Sequence, residues 1–218
     1  MDWQAFLVSV KLAALTTVIL IPFSLWLSRW LVWSGTRFRR IIETGITLPL
    51  VLPPTVIGFF LLGWFSQQGL IGAWYQSIFG SSLAFSFVGL LVASLIINLP
   101  FAVQPTQRGF ESIAREVRES ALCCGLSPWK TFWKIEMPLA MNGILGAALL
   151  TFTHTLGEFG VILMIGGNIP GETRTLSIAI FDQVEAFNES AATTMSLVLL
   201  MFSLFIISCL FLLSQRRP

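Results

Sequence analysis

The sequence predicts an all-α membrane protein: one domain over residues 1–218, with about five transmembrane helices. Two observations predict it. Hydrophobic residues make up 55% of the chain and charged residues 11%, and the mean hydropathy is +0.81. A soluble domain carries roughly 25% charged residues, so these few charges cannot cover the surface and most of it must face lipid. The apolar residues also gather into five stretches, about 5–28, 46–65, 85–104, 137–165 and 191–214. A span needs about 20 such residues to cross a hydrocarbon core roughly 30 Å thick. The net charge of +2 is too small to argue for nucleic acid. Adjacent Cys123 and Cys124, with Cys209 in an apolar stretch, make no disulfide framework. Disordered, collagen-like and disulfide-scaffold classes are excluded, and the composition argues against a soluble enzyme.

The first stretch carries Lys11 near its start, where a long stem can reach the headgroups. It reads as a retained helix and not a cleaved signal, because Asp2 replaces a basic leader and no A-x-A site follows. The third and fifth stretches are free of charge. Orientation follows from the basic residues. Arg29, Arg37, Arg39 and Arg40 follow the first stretch; Arg108, Arg115, Arg118, Lys130 and Lys134 follow the third; Arg216 and Arg217 follow the fifth. These are eleven of the 13 Lys and Arg, while the loops of the other side hold only Arg174. Positive loops stay in the cytoplasm, which places the N-terminus outside and the C-terminus inside.

Pro22, Pro49, Pro53, Pro54 and Pro100 lie within or at the ends of spans. Each removes a backbone donor and bends its helix. Freed carbonyls at membrane depth must be buried in protein or line a wet cavity. Two readings stand side by side: kinks that serve packing, or a pathway lined by broken helices. Ser94 and Asn98 in the third stretch would face such a pathway, or would make interhelical hydrogen bonds.

The long loop at about 108–138 is the informative one. Phe110, Ile113, Ala114, Val117 and Ala121 recur at helical spacing, with Arg115, Glu116, Arg118 and Glu119 on other faces, which predicts an amphipathic helix. Gly125 is placed to end it in the left-handed conformation. Ser127 then caps a second short helix, with Pro128 at its first position. Trp129, Phe132 and Trp133 form its apolar face, and Pro138 opens the next span. The result is a helix, a glycine elbow and a second helix, projecting on the cytoplasmic side.

Glu119-Ser120-Ala121, Gly125 six residues after the Glu, and Ile135-Glu136-Met137-Pro138 resemble the E-A-A-x3-G-x9-I-x-L-P signature of bacterial ABC-importer permeases. The spacing matches throughout; Ser120 replaces the first Ala and Met137 the Leu. Leu48-Pro49-Leu50-Val51-Leu52-Pro53-Pro54 is similar to the proline-rich segment of molybdate- and sulfate-type permeases. Gly157-Glu158-Phe159-Gly160 and the run from Asn168 to Leu176 look like stretches of the molybdate branch. The resemblance extends over nearly the whole chain. It implies a type I importer permease of the bacterial inner membrane, working by alternating access. Its cargo would be a tetrahedral oxyanion, molybdate first and sulfate, thiosulfate or tungstate as alternatives. It also implies that Glu119, Ser120, Ala121, Gly125, Leu126, Ile135 and Pro138 couple the chain to a pair of cytoplasmic ATPase subunits. An external oxyanion-binding protein would deliver the cargo, and no cofactor is implied.

No G-x4-G-K-[ST] phosphate loop occurs in the sequence, so hydrolysis of ATP falls to a separate subunit. Five helices provide little wall for a pore, and two copies about a twofold axis are the natural assembly. His154 and Glu158 share a helix face within the fourth stretch. Their order is H-x3-E and not the H-E-x2-H of a zinc protease, and His154 is the only histidine. An intramembrane enzyme using this pair is the different-class alternative. Glu158 stands instead as a structural carboxylate or a pathway residue near the outer boundary. The outer loop at about 166–188 carries turn signals at Gly166-Gly167 and Pro170-Gly171. Leu176, Ile180, Phe181 and Val184 predict a short helix on the membrane or among the spans. Arg174 and Glu172 are the candidates there for receiving the binding protein.

Overall fold

The structure is a computed structural model and describes residues 1–215; Arg216 and Arg217 lie outside the described residues. It contains eleven α-helices among the described residues. α1 (Trp3–Trp33) begins where the Asp2 carboxylate accepts a hydrogen bond from the Ala5 amide at 3.0 Å, satisfying one free donor of the first turn. α2 (Arg39–Val51) and α3 (Pro54–Phe65) follow, then α4 (Leu70–Phe79), α5 (Phe87–Glu111) and α6 (Arg115–Cys123). α7 (Pro128–Thr131) runs through a π-helical turn at Phe132–Glu136 into α8 (Met137–Gly157). α9 (Gly160–Gly166), α10 (Leu176–Glu185) and α11 (Glu189–Gln215) complete the chain.

Among the described residues, four helical runs are long and apolar enough to cross a membrane: α1, α5, the run from Pro128 to Gly157, and α11. The fifth predicted span is α2 and α3 together, bent by 109° between them. The physical cause is local. Leu52 and Pro53 take extended backbone, ψ 140° and 138°, because a residue preceding proline is pushed out of the helical region. Pro54 then starts α3, where a missing N–H costs nothing. Pro22 and Pro100 behave differently: α1 and α5 stay helical across them.

The core is the α1–α5–α8 packing. Gly109 and Gly143 bring α5 and α8 into backbone contact; a Cβ on Gly143 would lie 2.5 Å from the Pro105 carbonyl oxygen. Hydroxyls knit α1 to α5: Thr16 donates to Ser94 at 2.9 Å, Ser28 donates to the Val103 carbonyl at 3.1 Å, and Ser24 pairs with Thr106 at 3.3 Å. All of these polar side chains are buried, while Val18, Trp26, Leu197, Met201 and Phe205 are exposed. Polar groups inside and apolar groups outside are what a lipid solvent selects.

Six expectations are corrected. α5 runs past residue 104 to Glu111, and Phe110 belongs to it, buried under the loop. The amphipathic helix starts afresh at Arg115, after a break at Ala114 with ψ 137°. The fourth span is not continuous to residue 165 but stops at Gly157 and resumes at Gly160. Residues 66–84, read as a loop, contain α4, with Leu70, Trp74 and Phe79 exposed. In α10 the buried face is Leu176, Ile178 and Ala179, while Phe181 and Val184 of the predicted stripe are exposed. Lys11, whose stem was expected to reach the headgroups, has its ammonium 4.3 Å from the centre of the Phe87 ring.

Candidate coupling surface and membrane-embedded site

The elbow is built from purely local hydrogen bonds. Leu126 N–H donates to the Ala121 carbonyl at 3.2 Å and Gly125 N–H to the Leu122 carbonyl at 3.0 Å, the paired bonds that close a helix through a left-handed residue. Gly125 is that residue, with φ +80°. The Ser127 hydroxyl then accepts from the Lys130 amide at 3.4 Å, and Pro128 is the first residue of α7. The elbow and the second helix are as the sequence predicts, while the helix before them is confined to Arg115–Cys123.

Its residues divide by exposure. Glu119, Ser120 and Gly125 are exposed, Leu126 and Ile135 half-buried, and Ala121 buried against the loop. Arg115 pairs with Glu119 at 3.1 Å one turn apart, both side chains largely in solvent. Pro138 is exposed in the first turn of α8. One residue of this segment has a place that sequence reasoning missed. Glu136 is fully buried between Arg29 and Arg118.

The second cluster lies at membrane depth. Asn98 donates from Nδ2 to the Ser94 carbonyl at 2.9 Å and to its hydroxyl at 3.2 Å. That leaves Asn98 Oδ1 facing His154 Nδ1 at 3.0 Å. A carbonyl oxygen accepts only, so Nδ1 carries the proton. The imidazole is stacked on Phe101, ring centres 4.0 Å apart, and its Nε2 points toward Glu158 Oε2 at 3.9 Å. Glu158 occupies the break between α8 and α9, where Oε1 accepts from the Val161 amide at 3.2 Å. A cavity of about 240 Å³ opens here, lined by Pro49, Leu50, Pro54, Phe101, His154 and Glu158 among others. The two broken spans meet beside it, since a Cβ on Gly160 would stand 3.0 Å from Pro54 Cβ. Ser94 and Asn98 are fully buried behind His154, whereas Glu158 borders the cavity. Among the described residues no three His, Cys, Asp or Glu side chains gather as metal ligands would.

At the opposite end from the elbow, Arg174 Nη2 donates to Asp182 Oδ2 at 2.7 Å, and its Nε lies 3.7 Å from Asp2. Asn168 joins the same Asp182 oxygen at 2.8 Å. Arg174 therefore ties the 166–188 segment to the start of α1. Glu172 is exposed beside a hollow lined by Tyr75, Ser81 and Ser86.

Known proteins match this chain over most of its length. The family described as binding-protein-dependent transport system inner membrane component matches residues 20–217. The molybdenum transport system permease protein ModB of Azotobacter vinelandii is 43% identical, over 99% of this chain and 95% of its own. A probable sulfate transport system permease protein, cysT of Zygnema circumcarinatum, is 32% identical over 88% of this chain and 68% of its own. A crystal structure of a bacterial alginate ABC transporter, in complex with an alginate pentasaccharide-bound periplasmic protein, aligns with a TM-score of 0.81 at 17% identity. It covers 98% of this chain and 78% of that one, a likeness of fold. The elbow, the multi-span bundle and the matched residues together place this chain in the family of inner-membrane components of binding-protein-dependent, ABC-type import systems.

Proposed function

We propose that this chain is the permease of a molybdate importer, assembled as a homodimer with a pair of cytoplasmic ATPases and an external oxyanion-binding protein. The observation that carries the importer reading is the exposed, glycine-closed elbow with its motif spacing. Molybdate follows from the 43% identical relative. Sulfate is the second reading, favoured by the sulfate-type relative. Growth or uptake in a strain lacking this chain separates them. Labelled molybdate uptake is expected to vanish while sulfate uptake persists, and the reverse result would reassign the cargo.

In this reading Glu119, Ser120, Ala121, Gly125, Leu126, Ile135 and Pro138 form the ATPase contact and its supports. The pathway runs beside the cavity at His154 and Glu158, with Ser94 and Asn98 holding the imidazole from behind. Glu158 repels a dianion, so it shapes the wall of that pathway without binding cargo, and it keeps the Val161 amide occupied. Glu172 meets the binding protein, and Arg174 orders the loop that presents it. The second copy supplies the missing wall.

The orientation has a direct check. Arg37, Lys130 and Ser81 are all exposed. With the elbow in the cytoplasm, an impermeant thiol reagent applied to intact cells should label Ser81→Cys and spare Arg37→Cys and Lys130→Cys. Labelling of Lys130→Cys from outside would invert the topology and remove the coupling role of the loop.

A further inference from the structure

Glu136 sits in the part of the coupling loop that returns to the membrane, yet its side chain is 0% exposed. Two guanidinium groups close on it, one from α1 and one from α6. Arg29 of α1 donates from Nε to Oε2 at 2.5 Å and from Nη2 to Oε1 at 3.3 Å; Arg118 of α6 donates from Nε to Oε1 at 2.9 Å. Each guanidinium also lies over a ring, Arg29 at 5.3 Å from the centre of Phe132 and Arg118 at 4.8 Å from that of Trp33. One carboxylate therefore joins three segments: the last turns of α1, the helix before the elbow, and the turn leading into α8. The chain around it is wound more widely than an α-helix over Phe132–Glu136, a local insertion that recurs at functional sites.

Without this joint, α6 would be free to pivot. It is preceded by the extended residue Ala114 and followed by the elbow. Pulling the segments apart would strand a buried carboxylate without water or a partner, which is strongly resisted. We propose that Glu136 is a positioning residue that makes the elbow and the first span one mechanical unit. A displacement imposed on the elbow then reaches α1 and is not absorbed in the loop. The inference rests on the reading of the elbow as the ATPase contact.

The test uses the complete transporter, with ATPase and binding protein, in lipid vesicles. Glu136→Gln removes the charge and keeps the shape. Arg118→Gln is the gentler variant, because it leaves the Arg29–Glu136 pair in place. Three quantities are read: ATPase retained on the permease, labelled molybdate moved per ATP hydrolysed, and the distance between spin labels on Cys123 and on Trp26→Cys, with Cys124 and Cys209 changed to serine. Both variants should retain the ATPase and its hydrolysis, while transport per ATP falls at least fivefold. The label distance should broaden, and the double variant should be no worse than the poorer single one, as for groups acting together. Normal transport per ATP in both variants overturns the proposal, whatever the label distance does. A transport loss with an unchanged label distance overturns it too, since the elbow would then still be fixed to α1. Failure of the underlying reading is seen separately, as an ATPase that stays bound and productive when the elbow itself is disrupted at Gly125.

Discussion

Replacing Gly125 by valine is expected to abolish productive ATPase attachment while leaving the permease folded in the membrane. Gly125 holds φ +80°, and a Cβ built there meets nothing within 4 Å. The penalty is therefore backbone strain alone, about 1–2 kcal/mol for a side-chain-bearing residue in the left-handed region, and more troublesome for a β-branched one. The chain can relieve that strain by opening the bonds from Gly125 to Leu122 and from Leu126 to Ala121. Doing so redirects α7 relative to α6 and moves Glu119 out of register with whatever groove receives it. None of the spanning helices depends on those two bonds. Co-purification of the ATPase and transport should fall at least tenfold at unchanged permease yield. Glu119→Ala should be milder, since it removes one exposed side chain and leaves the backbone alone. Normal transport by Gly125→Val with its partner bound would end the coupling assignment.

Gly143→Val should act at the opposite extreme and prevent the bundle from closing. A Cβ there would stand 2.5 Å from the Pro105 carbonyl oxygen and 2.8 Å from Gly109 Cα. Both are backbone atoms, so no rotamer change makes room and α5 and α8 must separate. Overpacking of this kind costs about 1–3 kcal/mol, occasionally more. The gain in helix propensity on leaving glycine is under about 1 kcal/mol, so the clash decides the sign. Gly146, one turn further along α8, is the control, with nothing within 4 Å of its built Cβ. Gly146→Ala should be neutral or slightly stabilising. The measurement is the fraction of monodisperse permease recovered in mild detergent after a heat step. Equal recovery for Gly143→Val and Gly146→Ala would show that the α5–α8 contact does not hold the bundle together.

What could be read from the sequence divides by the range of the forces involved. The elbow was legible because its cause is local: Gly125 supplies the positive φ, Ser127 the cap and Pro128 the helical start, all within four positions. The spans were legible because lipid imposes length and composition on each one separately. The joint at Glu136 was not, because its partner Arg29 lies 107 residues away, and no spacing rule links such positions. The break at Glu158 had a signal in the flanking glycines Gly157 and Gly160, but the apolar run continues across it and hid the interruption. α4 was missed for a related reason, since Leu70 to Phe79 carries no charge to mark a solvated face. The expectation that Ser94 and Asn98 would face a pathway or bond between helices leaves both possibilities open from sequence. Their burial and their bonds to Thr16 and His154 put them in an interhelical network.

The interruption of the fourth span at Glu158 bears on how well the membrane stays electrically sealed. A broken helix at that depth exposes carbonyls and amides that ordinarily recruit water, and a file of waters conducts protons. Here the chain itself satisfies one carbonyl and one amide beside the break. Ser177, in the first turn of α10, donates to the Leu156 carbonyl at 3.1 Å, and Glu158 takes up the Val161 amide. Ser9 of the first span in turn accepts from the Leu176 amide at 2.8 Å. The chain can thus change direction inside the bilayer without a wetted seam at these groups. The start of α10 acts there as insulation for the break, a duty apart from any docking role proposed for the loop before it.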